Sequence, residues 1–268
     1  MPDLYSKISE VDTEIQMRLA EVIEMRAANP QMQAILHTYL SEIIFPDDAK
    51  VIEIGCGTGA VTRTIAKLPA VSMAVGIDPS TVFINKSKHL SKGIKNIHFE
   101  EGDGRSLKFD DQSFDVVVMH TTMSHVPQPE LLLKEAFRVL RRNGWLAVCD
   151  GDYSTATVAT GYNDPLEECI NAFRESYVND PWLVRRLPQL VRNAGFEIMP
   201  MRSYGYMESL DGGYMLTWID RGADVLKSIG RISAETAEAF KAEAKHRSIS
   251  KTWFGHIAFA SILGRKPA

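Results

Sequence analysis

The chain has 268 residues, 45% hydrophobic and 24% charged, enough to bury a sizeable core as one α/β unit. A formal charge of −4 argues against a nucleic-acid-binding surface, because neutralising phosphates needs clustered Lys and Arg. No apolar run approaches the roughly 20 residues of a membrane span.

The N-terminal Met1-Pro2-Asp3-Leu4-Tyr5 lacks a basic stretch followed by an apolar one, so no secretory signal is read there. Cys56, Cys149 and Cys169 show neither metal-ligand spacing nor a paired framework. The expectation is a cytoplasmic protein. From Val11 to about Ile44 the pattern is helical. Asp12 or Thr13 can cap a first helix with Ile15, Leu19, Val22 and Ile23 on one face. Asn29-Pro30 breaks it before a second apolar stripe, Met32, Ile35, Leu36, Tyr39 and Leu40. These helices read either as packing against a sheet edge or as a lid.

The centre alternates strand and helix. Strands are predicted at 50–54, 73–77, 96–100, 114–119 and 145–149, and helices at 60–68, 79–90 and 130–140. Near-continuous apolar strands separated by helices imply a parallel sheet covered on both faces. After Asp150 the rhythm changes. Asp164-Pro165 and Asp180-Pro181 each read as a cap followed by proline at a helix start, and Gly195 as a helix end. A sixth strand, 196–206, is interrupted by Pro200; a charge-rich helical stretch, 214–245, precedes a last strand, 257–263.

The strongest motif is Glu53-Ile54-Gly55-Cys56-Gly57-Thr58-Gly59, between a strand and a helix. Glycines there let the backbone turn tightly and approach a ligand. Dinucleotide enzymes place G-x-G-x-x-G at the same turn, so the loop alone is weak evidence. Asp78 alone reads equally as a cap before Pro79 and Ser80, and Asp103 as a turn residue between Gly102 and Gly104. Glu53 is harder to dismiss, since a buried carboxylate needs partners.

Taken together, residues 50–150 resemble the class I S-adenosylmethionine-dependent methyltransferases, and within them the ubiquinone/menaquinone-biosynthesis-like (type 11) group. The resemblance rests on Val51 to Gly59, on Asp78, on Gly102-Asp103-Gly104, on Phe114 to Pro127, and on Leu140 to Val148, where Asn143-Gly144 replaces the common Pro-Gly-Gly. It implies a Rossmann-like fold with a seven-stranded, mostly parallel sheet, N-terminal helices (1–46) as a cap or lid, and a methyltransferase domain over 47–268. Residues 151–253, with a helical insertion before the last strand, would shape acceptor specificity. It further implies S-adenosyl-L-methionine as cofactor. Glu53, Gly55, Gly57 and Gly59 would serve its methionine part, Asp78 and Pro79 its ribose, and Asp103 and Gly104 its adenine. His120 would line the same site. Arg26 is the cation proposed for the cofactor carboxylate, as an N-terminal arginine serves in some related enzymes, and Tyr5 a lid residue.

A sulfonium methyl needs an in-line nucleophile at about 3–3.5 Å in a shielded site, and a base only where the acceptor must lose a proton. His125, in the loop after the fourth strand, is the first choice for that base, against a histidine merely bonded to the loop backbone. Asp150 and Asp152 stand where catechol-type enzymes hold a divalent ion. Those enzymes also use an acid where this chain has His120, so no metal is expected. The acceptor is expected to be a small molecule. Two other classes stay in view. One binds the cofactor without transferring methyl, as a cyclase would; the other is a nicotinamide dehydrogenase, disfavoured by the Asp103 element and the fourth-strand loop.

Overall fold

The computed structural model describes residues 3–268; Met1 and Pro2, part of the N-terminal stretch read above, lie outside the described residues. A 3-10 segment, Tyr5–Glu10, leads into α1 (Thr13–Ala28), which Asp12 caps by accepting from the Glu14 N–H. Asn29 ends α1 and caps α2 (Pro30–Leu40), with Pro30 at the first helical position, where its missing N–H costs nothing. The predicted stripe of α2 is wholly buried. Ile15 of α1 is not: it is 42% exposed, because Gln16, Leu19 and Ala20 make the buried face instead.

There follow β1 (Ala49–Ile54), α3 (Ala60–Ile65), β2 (Val71–Asp78), α4 (Thr81–Leu90), β3 (Ile97–Glu101), β4 (Phe114–His120), α5 (Pro129–Val139) and β5 (Leu140–Thr157). Then come α6 (Leu166–Tyr177), α7 (Leu187–Asn193), β6 (Glu197–Ile198), β7 (Arg202–Leu210), α8 (Leu216–Ser228), α9 (Ala234–Ile249) and β8 (Trp253–Arg265). Strands run in the order β3-β2-β1-β4-β5-β8, with β6 and β7 both on the outer side of β8. The first five are parallel and β8 is antiparallel to β5.

Among the described residues, eight strand segments fill seven positions. Ile198 pairs with Gly264 and Arg202 with Ser261, so β6 and β7 are one strand with a residue inserted at Pro200, which has no N–H for the ladder. The single helical stretch predicted over 214–245 is two helices. Gly230, at φ +73°, closes α8, and Ser233 caps α9 by accepting from the Thr236 N–H.

Both faces of the sheet are covered, which is why its strands lack polar alternation. Along β4, Val116 and Val118 pack on one side, against the cluster that holds α2, α6 and α8, while Val117 and Met119 pack on the other, against α5 and α7. Each such buried side chain contributes about 1.5–3 kcal/mol.

Candidate active site

The strand order reverses between β1 and β4, and open α/β sheets bind ligands at the carboxyl ends flanking such a point. A cavity of about 650 Å³ lies there. Its floor includes Gly55, Gly57, Asp78 and the turn Thr121-Thr122; α1 and α2 wall one side. Tyr5, His125, Tyr153, Phe173, Tyr214 and Arg221 close the other. Thr121 holds φ +53°, an outlying conformation for a β-branched residue, its hydroxyl bonded to the His120 carbonyl at 2.7 Å.

Glu53 ends β1 almost fully buried and accepts from the Thr62 hydroxyl on the first turn of α3. Burial pushes its pKa up to about 8 despite the Thr62 bonds, and the charge of Asp78 adds to the rise. Asp78, also buried, accepts from the Gly57 N–H at 2.9 Å and from the Ser80 N–H at 2.9 Å. Burial raises it to about 6 against those two bonds. The cap of α4 is Ser80, not Asp78: the Ser80 Oγ accepts from the Phe83 N–H. Pro79 lines the cavity beside it.

Gly55 and Gly59 both sit at positive φ, +73° and +77°, and both are also closely packed. A Cβ at Gly55 would meet the Thr122 side chain at 2.3 Å, and one at Gly59 the Phe99 ring at 2.5 Å. Gly59 does not line the cavity. Neither do Asp103 and Gly104. The Asp103 carboxylate is half exposed and held by Arg105 at 2.8 and 3.0 Å, bonds that lower its pKa.

Arg26 lines the cavity with its guanidinium 5.7 Å from the Tyr214 ring centre, and no carboxylate among the described residues pairs with it. His120 meets the Tyr39 hydroxyl through Nδ1 at 3.0 Å. Burial, with Arg26 nearby, drops its pKa to about 3, so this ring is neutral.

His125 is buried, not free in its loop. Nδ1 faces Asp3 Oδ2 at 2.9 Å and Nε2 faces the Tyr153 hydroxyl at 3.3 Å. Asp3 in turn accepts from the Tyr5 and Asn179 N–H groups. Burial works against the imidazolium, but the charge and hydrogen bond of Asp3, with Asp150 behind, raise the histidine's pKa. Asp150, fully buried, accepts from Ser124 N–H, Ser124 Oγ–H and Gly151 N–H, which pins the turn carrying His125. Asp152 pairs with Arg185 at 3.0 Å and with Ser154.

The aromatic residues after Asp150 divide. Tyr153 and Tyr214 reach the cavity, with Trp218 buried behind them at 5.8 and 5.1 Å between ring centres. Trp182, under the Arg185 guanidinium, and His246 are at the surface. Tyr206 and Trp253 serve packing: both donate to the buried Glu208, which also takes the Gly213 and Met215 N–H groups. Sequence reasoning missed Asp3, Tyr39, Thr62 and Arg221. Only Thr62 left a local signal, a hydroxyl one helical turn beyond the glycine loop.

Residues 52–148 match a family model described as "Methyltransferase domain". The core of the chain carries the class I methyltransferase fold. Its antiparallel β8 separates it from dinucleotide folds, whose sixth strand continues the parallel set. The chain is similar to "Demethylmenaquinone methyltransferase" of Staphylococcus haemolyticus, 28% identical with 62% of this chain and 76% of that protein covered. The protein of the same name from Tropheryma whipplei is 32% identical, with 49% and 54% covered. The chain spans little more than half the length of several curated relatives, 57% and 54% of two of them. Among solved structures, the "[4+2]-Cyclase SpnF" superposes with a TM-score of 0.63 at 17% identity, over 100% of this chain and 98% of that one. A phosphoethanolamine N-methyltransferase 2 of Haemonchus contortus, solved with S-adenosylhomocysteine, gives 0.56 at 14% identity over 93% and 57%. At these identities the structural likeness concerns the fold. No helix among the described residues is long and apolar enough to cross a membrane.

Proposed function

We propose that the chain is an S-adenosylmethionine-dependent methyltransferase acting on a small-molecule acceptor by in-line displacement. The observation that carries this reading is the set Glu53, Gly57 and Asp78 converging on one cavity with a cation, Arg26, that has no carboxylate partner among the described residues. The residues fit the cofactor's groups. Two backbone donors occupy only half of the roughly four lone-pair sites of the Asp78 carboxylate, leaving acceptors for two ribose hydroxyls. Glu53 offers an acceptor to the methionine amine, Arg26 a fork to its carboxylate, and neutral His120 lines that end. Asp103, Gly104 and Pro79 remain the residues assigned to the adenosyl group. When bound, the cofactor supplies an electrophilic methyl on a sulfonium sulfur, which keeps the electron pair as the methyl leaves.

The protein's work is then positioning and proton handling. His125, braced by Asp3, accepts a proton from an acceptor hydroxyl or amine, with Tyr153 as the neighbouring donor or acceptor. Residues 1–46 act as a cap whose Tyr5 closes over the ligands, and 151–253 shape the acceptor end. Three buried free cysteines and a net negative charge accord with a cytoplasmic location and an acceptor other than nucleic acid. Calorimetry tests the reading: S-adenosylmethionine or its demethylated product should bind at micromolar or tighter affinity, and NAD should not. Labelled cofactor with a metabolite extract should then yield a labelled small molecule. The likeness to a cyclase favours one second reading, a cofactor-bound protein that transfers no methyl, and it predicts binding without any labelled product.

A further inference from the structure

A second guanidinium lines the cavity, that of Arg221. Arg221, half-buried on α8, donates through Nε to the Thr217 carbonyl at 3.1 Å and through Nη2 to the Thr217 hydroxyl at 2.9 Å. Its plane rests on two rings, 4.7 Å from the centre of Phe173 and 5.2 Å from that of Tyr177. These contacts fix the fork while using two of its five N–H donors. The three left over include one on each terminal nitrogen, the pair that receives a carboxylate end-on.

Among the described residues no carboxylate forms an ion pair with Arg221, although Asp220 next to it on α8 feels its charge. Asp224, three residues along α8, is occupied by Lys227 and Lys241. On the facing elements Asp3 is engaged by His125 and two backbone N–H groups, and Asp150 by Ser124 and Gly151. An arginine held on ring faces and open to a cavity keeps its remaining N–H groups available to an anion.

We infer that the acceptor is a small aromatic acid, its carboxylate received by Arg221 and its ring packed among Tyr5, Tyr153, Phe173 and Tyr214. The inference rests on the methyltransferase reading for what happens to that ring, but not for its binding. The four rings supply apolar area and edge-to-face contacts, and the fork sets the ring's direction relative to His125. A neutral or cationic analogue of the same shape meets an unpaired guanidinium instead, which is the basis of discrimination.

The test is calorimetry on the full chain, with and without S-adenosylhomocysteine, using 4-hydroxybenzoate, its methyl ester and tyramine as probes. The acid should bind at least tenfold tighter than the ester, with tyramine weakest. Arg221→Gln should abolish that preference while leaving ester and S-adenosylhomocysteine affinities unchanged, and Arg221→Lys, which keeps the charge without the fork, should retain part of it. Melting curves confirm that each variant is folded; if Arg221→Gln is not, the lysine variant decides. Equal binding of acid and ester, an acid preference undiminished in the folded variants, or no binding of the acid at millimolar concentration would each overturn the inference. Failure of S-adenosylhomocysteine to bind would overturn the cofactor reading instead, and the acid preference measured without it would still decide this one.

Discussion

The two ends of the cavity are built from different materials. At the glycine-loop end the ligand-facing groups are main chain and short carboxylates, set where β1 and β2 stop, and their positions follow from the ladder of a parallel sheet. Glu53 and Asp78 are buried there and held by neighbouring donors, Thr62, Gly57 and Ser80. At the aromatic end the groups are the rings of Tyr5, Tyr153, Phe173 and Tyr214 and the guanidinium of Arg221. No sheet registers these against one another; they meet through side-chain packing. The first end suits a ligand that never changes, the second a ligand that differs from one enzyme to the next. Perturbing each end should therefore fail in a different way.

The largest effect is expected at the aromatic end. If His125 takes the acceptor's proton, His125→Asn should lower kcat by about 10²–10⁴ and leave cofactor affinity unchanged. Because Asp3 raises the pKa of this histidine, the ring is protonated at a higher pH than an ordinary one. The wild-type rate should thus rise with pH through a value above about 6.5, as the base form is released. Full activity in the asparagine variant, with the same pH profile, would remove His125 from the chemistry.

At the other end Asp78→Ala should weaken cofactor binding by about 2–4 kcal/mol, since two hydroxyls lose a charged acceptor. Asp78 is also buried and holds two backbone N–H groups. Leaving the Gly57 and Ser80 N–H groups unpaired should also cost about 1–3 kcal/mol of stability, read as a lower melting temperature. A lower melting temperature with unaltered affinity would mark Asp78 as a loop staple alone.

A smaller, graded effect should come from Glu53. With its pKa near 8 it holds a proton at pH 7 in the free protein. An ammonium placed beside it favours the carboxylate, so cofactor binding should release a proton. Affinity should accordingly climb by up to about tenfold per pH unit as pH rises toward 8. Calorimetry in buffers of different ionisation enthalpy measures the proton, and Glu53→Gln should abolish the release. Uptake of a proton, or none moved, would contradict the assignment.

The same contrast decides what could be read in advance. Glu53 to Gly59 lie in one run of seven residues, and Asp78 ends the next strand, so local pattern and strand order bring them together. The arrangement of β1 to β5 followed from apolar runs for the same reason. Asp3 and His125 are 122 residues apart, and nothing in either neighbourhood points to the other. Arg221 reads in sequence as one more cation on a charged helix; only the docking of α6 against α8 puts Phe173 and Tyr177 beneath it. The break between α8 and α9 was visible in Gly230 and Ser233 but outweighed by the helical composition on both sides.

The smallest effect expected is none, and it concerns Asp150 and Asp152, the pair on β5 where a catechol-type enzyme would hold magnesium. Their surroundings distinguish two uses of a carboxylate. A metal ligand keeps oxygen lone pairs directed at a shared point, with further oxygens completing the shell. Asp150 instead spends its oxygens on Ser124 and Gly151 donors, which fixes the turn bearing His125. Asp152 spends its own on Arg185 and Ser154, and an arginine at 3.0 Å already supplies the positive charge that an ion would bring. To bind magnesium the pair would have to abandon these bonds, and the turn after β4 would lose its anchor. Turnover should therefore persist in excess chelator, with unchanged kcat and KM. Asp150→Asn, which retains one acceptor oxygen, should lower activity through the placement of His125, and added magnesium should not restore it. Activity lost in chelator and recovered with magnesium would show that the two carboxylates leave their protein partners for an ion.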